Sequence, residues 1–201
     1  MEEYVFKNQY ALGLFLDISS AFDTIEPDHI KEALMDHGGD KDLVEWYYGY
    51  LKERHLQFDL QGTTARRKTD MGFPQGGVCS AKFWLIAFNF AIKIINSMGI
   101  TGNGYADDCS ALIGGPRVDH LVINMEKMLK VLTIRGRRCG LKFNPEKTIA
   151  VLFTRKRKVP ERFGKFEGRI LPYSQSVVYL GVTFDTKLHW KLHLQSKIDK
   201  A

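Results

Sequence analysis

The run Ala11-Leu12-Gly13-Leu14-Phe15-Leu16 is nearly all apolar and stops at an acid, Asp17. An apolar run of this kind fits a β-strand buried on both faces. A carboxylate at the end of a buried strand is a candidate site residue. A second acidic feature lies far downstream, in Gly104-Tyr105-Ala106-Asp107-Asp108-Cys109, a short β-prone segment closed by Gly102 and Gly104 on one side and Gly114-Gly115 on the other. Side chains alternate faces along a strand, so Asp107 and Asp108 can aim at a common point only where the chain turns, and the flanking glycines suggest a hairpin with the acids at its tip. Two such carboxylates repel. A divalent cation removes that penalty, and hard oxygen ligands suit Mg²⁺. Three carboxylates converging from two strands are what a two-metal phosphoryl-transfer centre needs, because the cations neutralise a triphosphate and activate a hydroxyl for in-line attack. Taken alone, an Asp-Asp pair in a turn is more often a solvated cap or Asx-turn, so the order of further motifs decides.

Asp17-Ile18-Ser19-Ser20-Ala21-Phe22-Asp23 comes first, then Gly72-Phe73-Pro74-Gln75-Gly76-Gly77-Val78, then Tyr105-Ala106-Asp107-Asp108. Gly140-Leu141-Lys142-Phe143-Asn144-Pro145-Glu146-Lys147-Thr148 follows, and Tyr179-Leu180-Gly181 is last. Together they resemble the five successive palm motifs of reverse transcriptases, nearly end to end. The Ala-Phe-Asp after the first acid, the Pro-Gln-Gly-Gly-Val block and the Tyr-Leu-Gly element are most similar to the non-LTR (LINE-type) retrotransposon enzymes. One departure is Ser80-Ala81-Lys82, where relatives usually have a small residue and Pro before the helix.

The resemblance implies roles for individual residues. Asp17 and Asp107 would ligate two Mg²⁺ ions (Mn²⁺ is the substitute), with Asp108 as supporting carboxylate and the Ile18 carbonyl as a backbone ligand. Phe22 would be a steric gate whose bulk collides with a 2′-hydroxyl, a clash that selects deoxynucleotides. Gln75 and Gly76 would lie beside the incoming nucleotide and the template base, where glycine lets backbone approach a ligand closely. Lys147 falls at the motif D lysine and would protonate the departing pyrophosphate. Tyr179-Leu180-Gly181 would form the primer grip, a turn whose backbone holds the primer 3′ end. Without the resemblance, Phe22 reads as an ordinary core aromatic, Gln75-Gly76 as a turn before a helix, Lys147 as a solvated turn residue and Tyr179-Leu180-Gly181 as core strand.

Charge distribution points to a polyanion. Twelve Lys or Arg face three acids between Arg135 and Arg169, a local +9 in a chain of formal net charge +6, so the remainder carries −3. A basic band of this kind reads as a nucleic-acid-binding face, densest at Arg155-Lys156-Arg157-Lys158, with phosphate contacts that are blind to sequence. A solvated loop or a nuclear localisation patch is the alternative for that run. Hydrophobic residues make up 44% of the 201, and no apolar run reaches membrane-spanning length, so a soluble globular chain without a membrane partner is expected. Met1-Glu2-Glu3-Tyr4 is acidic rather than basic, which argues against a secretory signal. Three widely spaced cysteines, Cys79, Cys109 and Cys139, give neither a zinc cluster nor a disulfide framework. An intracellular setting, nucleus or cytoplasm, is the expectation.

Along the chain, Pro27 as a first helical residue and Gly38-Gly39 as a stop bracket a helix over Asp28 to His37. A second, aromatic-rich helix is expected over Asp42 to Arg54, followed by strands flanking Gln61-Gly62-Thr63, the second containing Arg66-Arg67-Lys68. Phe83 to Ile95 reads as a buried helix, and Leu121, Met125, Met128, Leu129 and Leu132 keep helical spacing. Paired strands are expected around Leu141 to Phe153 and Val177 to Phe184, then an amphipathic helix from His189 to Lys200. The fold class is α/β (α+β): a polymerase palm, an antiparallel sheet with helices packed on one face, with partial fingers and the start of a thumb. Residues 1–185 would be palm with partial fingers, and 186–201 the start of a thumb or a connecting helix. Sixteen residues precede Asp17 and twenty follow Gly181, so the triphosphate-gripping part of the fingers is expected to be missing. The function these features imply is an RNA-directed DNA polymerase acting on an RNA template, a DNA primer and dNTPs. A truncated or domesticated palm that binds nucleic acid without polymerising, and an RNA-synthesising palm, are the competing expectations.

Overall fold

The computed structural model describes residues 2–7 and 9–199. Its elements in chain order are α1 (Glu2–Phe6), β1 (Tyr10–Ser19), α2 (Ala21–Thr24), α3 (Pro27–Asp36), α4 (Lys41–Lys52), β2 (Arg54–Leu60), β3 (Thr63–Thr69), α5 (Ser80–Ser97), β4 (Thr101–Tyr105), β5 (Asp108–Gly115) and α6 (Val118–Arg138). They continue with β6 (Lys142–Phe153), β7 (Gly164–Phe166), β8 (Arg169–Leu171), β9 (Ser176–Tyr179), β10 (Val182–Asp185) and α7 (Lys191–Ile198). The chain divides into two compact units. One comprises residues 1–18, 91–134 and 143–201, the other residues 19–90 and 135–142, so the boundary falls inside the long helices α5 and α6.

The first unit is organised around a four-stranded sheet in the order β4-β5-β1-β6, with β5 antiparallel to both β4 and β1. β1 is the buried strand its apolar run predicts, since Ala11, Leu12, Leu14, Leu16 and Ile18 are all at most 6% exposed. Its two faces have different cover. Leu12 and Leu14 line a small apolar gap with Val122, Met125 and Leu129 of α6, so the long helix packs on that face. The alternate residues Ala11 and Phe15 belong to a cluster with Val5, Val151, Phe153, Val177 and Phe184, drawn from α1, β6 and the β9–β10 hairpin. The expected palm architecture, an antiparallel sheet with helices on one face, is therefore present.

The second unit holds α2, α3, α4 and the two-stranded β2–β3 hairpin. Pro27 opens α3 as its first residue, and the Asp40 side chain caps α4 by accepting from the Leu43 amide at 3.0 Å. The buried His29 ring meets the Ala87 carbonyl at 2.7 Å through Nε2, and burial holds its pKa below the usual histidine range, so α3 is pinned to the start of α5 by a neutral imidazole.

Several boundaries differ from expectation. β1 does not end at Asp17 but runs on to Ser19. α5 is not buried all round: Trp84, Ala87, Phe88, Ala91 and Ile95 are buried while Leu85 is 53% exposed. Val177 to Phe184 is not the partner of β6 but a hairpin of its own, β9–β10. A small hairpin, β7–β8, appears where no element was expected. α7 buries no residue, leaving Leu192, Leu194 and Ile198 exposed, and the expected end of that helix at Lys200, like Met1, lies outside the described residues. Among the described residues no helix is long and apolar enough to cross a membrane.

Candidate active site and nucleic-acid interface

In the first unit, the register of β1 and β5 aligns the acids. Leu16 pairs with Cys109, so Asp17 and Asp108 are the next residues on adjacent strands and stand on the face that carries Phe15 and Ser110. β4 and β5 are joined by only Ala106 and Asp107, with Tyr105 opposite Asp108, so both downstream acids sit at a hairpin tip as the glycine pattern predicts. Ala106 has a left-handed backbone, φ 52°, a conformation that costs an L-residue about 1–2 kcal/mol and turns the chain within two residues. Cys109 is the tip's buried anchor, and burial pushes its thiol up to about 12, which removes it as a nucleophile.

Charge is concentrated here. Partial burial first, then the charges of Asp107 and Asp17, push the Asp108 carboxyl above the ordinary carboxylate range. Asp17 Oδ2 is shielded from solvent and has no hydrogen-bond partner, a costly arrangement for a carboxylate unless a cation satisfies it. Lys147, on the neighbouring strand β6, brings Nζ to 3.9 Å from that oxygen, within ionic range but beyond a hydrogen bond. Lys147 is thus a solvated strand residue beside the first acid rather than a turn residue. Among the described residues no three Asp, Glu, His or Cys side chains are gathered into a ready-made metal cage. An orphaned Oδ2 on a central strand, beside two hairpin acids, is a donor set of hard oxygens that fits Mg²⁺.

The Tyr179-Leu180-Gly181 element forms a tight turn between two strands. Leu180 (φ 49°) and Gly181 (φ 75°) link β9 to β10, and the Tyr179 ring lies 5.2 Å from that of Phe15, two residues before Asp17 on the same face of β1. Ile18 is buried in β1. The basic run follows β6: Arg155 lies over the Phe6 ring at 4.3 Å, Lys156 over Tyr10 at 4.2 Å, and Lys158 is exposed. Arg157 lines a cleft of about 410 Å³ with Lys187, Tyr173 and Glu161. The wider basic band is divided between the two units. Arg135, Arg137 and Arg138 end α6 in the second unit, favourable to the helix dipole, while Arg162 pairs with Asp119 at 3.7 Å and Arg169 with Glu146 at 3.0 Å.

In the second unit, the Phe22 and Gln75 motifs are fastened to each other. The Phe73 amide donates to the Phe22 carbonyl at 2.7 Å and the Gly72 amide to Ile25 at 2.8 Å. Arg54 donates to the Met71 and Gly72 carbonyls at 2.6 and 2.7 Å. Gln75 Nε2 donates to Asp23 Oδ1 at 3.0 Å, which leaves the amide oxygen of an exposed side chain free to accept. The Phe22 ring stacks on Trp84 at 4.9 Å with Phe73 edge-on at 6.5 Å, so its position is fixed by two aromatic neighbours. Gly76 has φ 82° and open space around it. Gly140, after α6, presses against the end of the Phe22 helix: a Cβ there would collide with the Thr24 carbonyl. Sequence reasoning missed Asp23 and Arg54 as supports, because bonds spanning 52 and 18 positions leave no local pattern.

A sheet that presents carboxylates from a central strand and from a hairpin tip, with helices against its other face, defines the palm class of nucleotide polymerase. The chain belongs to the reverse transcriptase (RNA-dependent DNA polymerase) family, whose model matches residues 3–184. It is 27% identical over 189 residues to a putative 115 kDa protein in the type-1 retrotransposable element R1DM of Drosophila melanogaster, covering 94% of this chain and 18% of that protein. A probable RNA-directed DNA polymerase from transposon BS of the same organism is 26% identical, with 94% of this chain and 21% of that protein covered. These relatives agree with the non-LTR resemblance of the motifs, and the chain spans about a fifth of their length. In fold it is similar to apo telomerase from Candida tropicalis, with TM-score 0.68, 12% identity, and 92% of this chain and 36% of that chain covered.

Proposed function

We propose that the chain is the catalytic palm, with part of the fingers, of an RNA-directed DNA polymerase that extends a DNA primer on an RNA template. The observation that carries this reading is Asp17 Oδ2 on β1, shielded from solvent with no hydrogen bond and only the Lys147 ammonium at 3.9 Å, with Asp108 next on the adjoining strand and Asp107 at the same tip. Asp17, Asp107, Asp108 and the Ile18 carbonyl would hold two Mg²⁺ ions, or Mn²⁺ in their place. When bound, such ions neutralise a triphosphate and lower the pKa of the attacking 3′-hydroxyl. Lys147 carries a proton on Nζ beside Asp17 and would release it to the departing pyrophosphate. Phe22, its ring held by Trp84 and Phe73, would exclude a 2′-hydroxyl by bulk. Gln75 and Gly76 would contact the incoming nucleotide, the Tyr179-Leu180-Gly181 turn would hold the primer end by its backbone, and Arg155, Lys156, Arg157 and Lys158 would contact phosphates.

Primer extension on an RNA template with Mg²⁺ tests the assignment. Wild-type chain should incorporate dNTPs, and Asp107→Ala should not. Phe22→Ala should raise ribonucleotide use relative to deoxynucleotide use by about 10–200-fold, the range over which a pocket discriminates by fit. A wild-type chain that uses ribonucleotides as well as the variant does would remove the gate. Salt-sensitive nucleic-acid binding without any incorporation would identify a palm that binds but does not polymerise.

A further inference from the structure

The β2–β3 hairpin is long, two-stranded and covered on neither side. Arg54 is half-buried, and every other residue of β2 is exposed, as is every residue of β3 before Thr69. The register sorts its side chains. Leu56 opposes Arg67, Phe58 opposes Ala65 and Leu60 opposes Thr63 on one face, while His55 opposes Lys68 and Gln57 opposes Arg66 on the other. Leu56, Phe58 and Leu60 are about 60% exposed, at 62, 64 and 59%. Two strands alone are marginal in water, and a row of bare apolar side chains on them marks a surface with a partner.

The charges say which partner. Among the described residues the side chains of Arg66, Arg67 and Lys68 have no hydrogen bond or ion pair, whereas those of Lys31, Lys52 and Arg169 are each paired to a carboxylate. The hairpin's one acid, Asp59, is already engaged by Thr64 at 2.5 Å and Gln57 at 3.1 Å. Arg67 stands on the Phe58 face and Arg66 and Lys68 on the opposite one, so unneutralised cations on both faces of a narrow ribbon flank an exposed aromatic ring, which matches a polyanion that wraps the ribbon with its bases free to stack. The hairpin base then opens into a cleft of about 720 Å³, where His55, Leu56 and Thr69 face Tyr50 and Gln75. Tyr50 extends the aromatic surface, since it is 44% exposed and lies within 10° of parallel to Trp46, itself 66% exposed.

We infer that the β2–β3 hairpin and the adjoining Tyr50 cleft bind single-stranded nucleic acid, with Arg66, Arg67 and Lys68 on phosphates and Phe58 and Tyr50 against unpaired bases. This surface belongs to the second unit and the Arg155–Lys158 run to the first, and binding there does not depend on polymerase activity.

Fluorescence anisotropy with a labelled 20-nucleotide single-stranded RNA, measured from 50 to 300 mM NaCl, tests it in the full chain, with far-ultraviolet circular dichroism confirming that each variant is folded. Replacing Arg66, Arg67 and Lys68 together with Ala should weaken binding and flatten the slope of log affinity against log salt by about 2, at about 0.7 per phosphate contact on a single strand. Phe58→Ala should weaken binding about 5- to 150-fold, the scale of one base stack, while leaving the slope unchanged and duplex RNA unaffected. An unchanged slope and affinity in the triple variant overturns the proposal, as does a wild-type chain that does not bind the RNA. Concentration-dependent dimerisation abolished by Phe58→Ala, with RNA binding intact, overturns it in favour of a second copy of the chain. Failure of primer extension leaves these readouts untouched, so the two assignments fail separately.

Discussion

The β4–β5 and β2–β3 hairpins both reverse direction in two residues, Ala106-Asp107 and Gln61-Gly62, and both concentrate charge, of opposite sign. What differs is their cover. β5 is paired on both edges and buries Cys109 and Ala111 to 1% exposure, so the carboxylates stand on a packed base. β2–β3 pairs with no other strand among the described residues, and beyond the Arg54 bonds at its base it has its own ladder to hold it. The same local chemistry therefore yields a fixed platform where the strand is sandwiched and an adaptable ribbon where it is not. Positioning reactive groups requires the first, whereas accommodating strands of varied sequence suits the second.

The sharpest way to break this contrast is to place the same acid in both strands. Ala111→Asp puts a charge into the sheet core and should cost about 3 kcal/mol or more, while Phe58→Asp should stay within about 0.5 kcal/mol, as denaturant titration would read. Next in size, Asp107→Ala should lower nucleotide incorporation by about 10²–10³-fold with an unchanged melting temperature, a loss typical of groups aimed at developing charge. A smaller pair of effects separates the turns. Gly62→Ala, at φ 82°, should cost about 1 kcal/mol and show as faster hydrogen exchange in the ribbon alone. Ala106→Gly should instead stabilise by about 0.5 kcal/mol, because relief of the left-handed conformation exceeds the added freedom of the unfolded chain. The smallest concerns Asp108, whose carboxyl is held above the ordinary range. A raised folded-state pKa means stability that is complete at low pH and lost as pH climbs through it. Asp108→Asn should therefore melt higher than wild type near pH 7, and the two curves should converge on acidification below the ordinary carboxylate range.

Much of the platform was legible because its signals are local. The apolar run before Asp17, the glycines around Asp107-Asp108 and the Leu180-Gly181 turn each act over a few residues. The ribbon was legible as strands but not as a surface, since nothing in Leu56-Gln57-Phe58 says whether another layer will cover it. The β7–β8 hairpin escaped because strands of three residues around Glu167-Gly168 show no alternation. Within the candidate site, the acids and the aromatic at Phe22 could be placed from motif order, but their supports could not. Asp23 holding Gln75, Arg54 holding Gly72 and Lys147 beside Asp17 are products of the fold, visible only once distant segments meet.

Gly140 extends that lesson to inheritance. No substrate need touch it, yet any larger side chain would shove the Thr24 carbonyl and so re-aim the short helix bearing Phe22. Mutational scanning scored by sugar selectivity should therefore flag Gly140 alongside Phe22 itself, and a lineage that drifts toward looser nucleotide choice has two doors to leave by, one at the ring and one at the hinge-stop behind it.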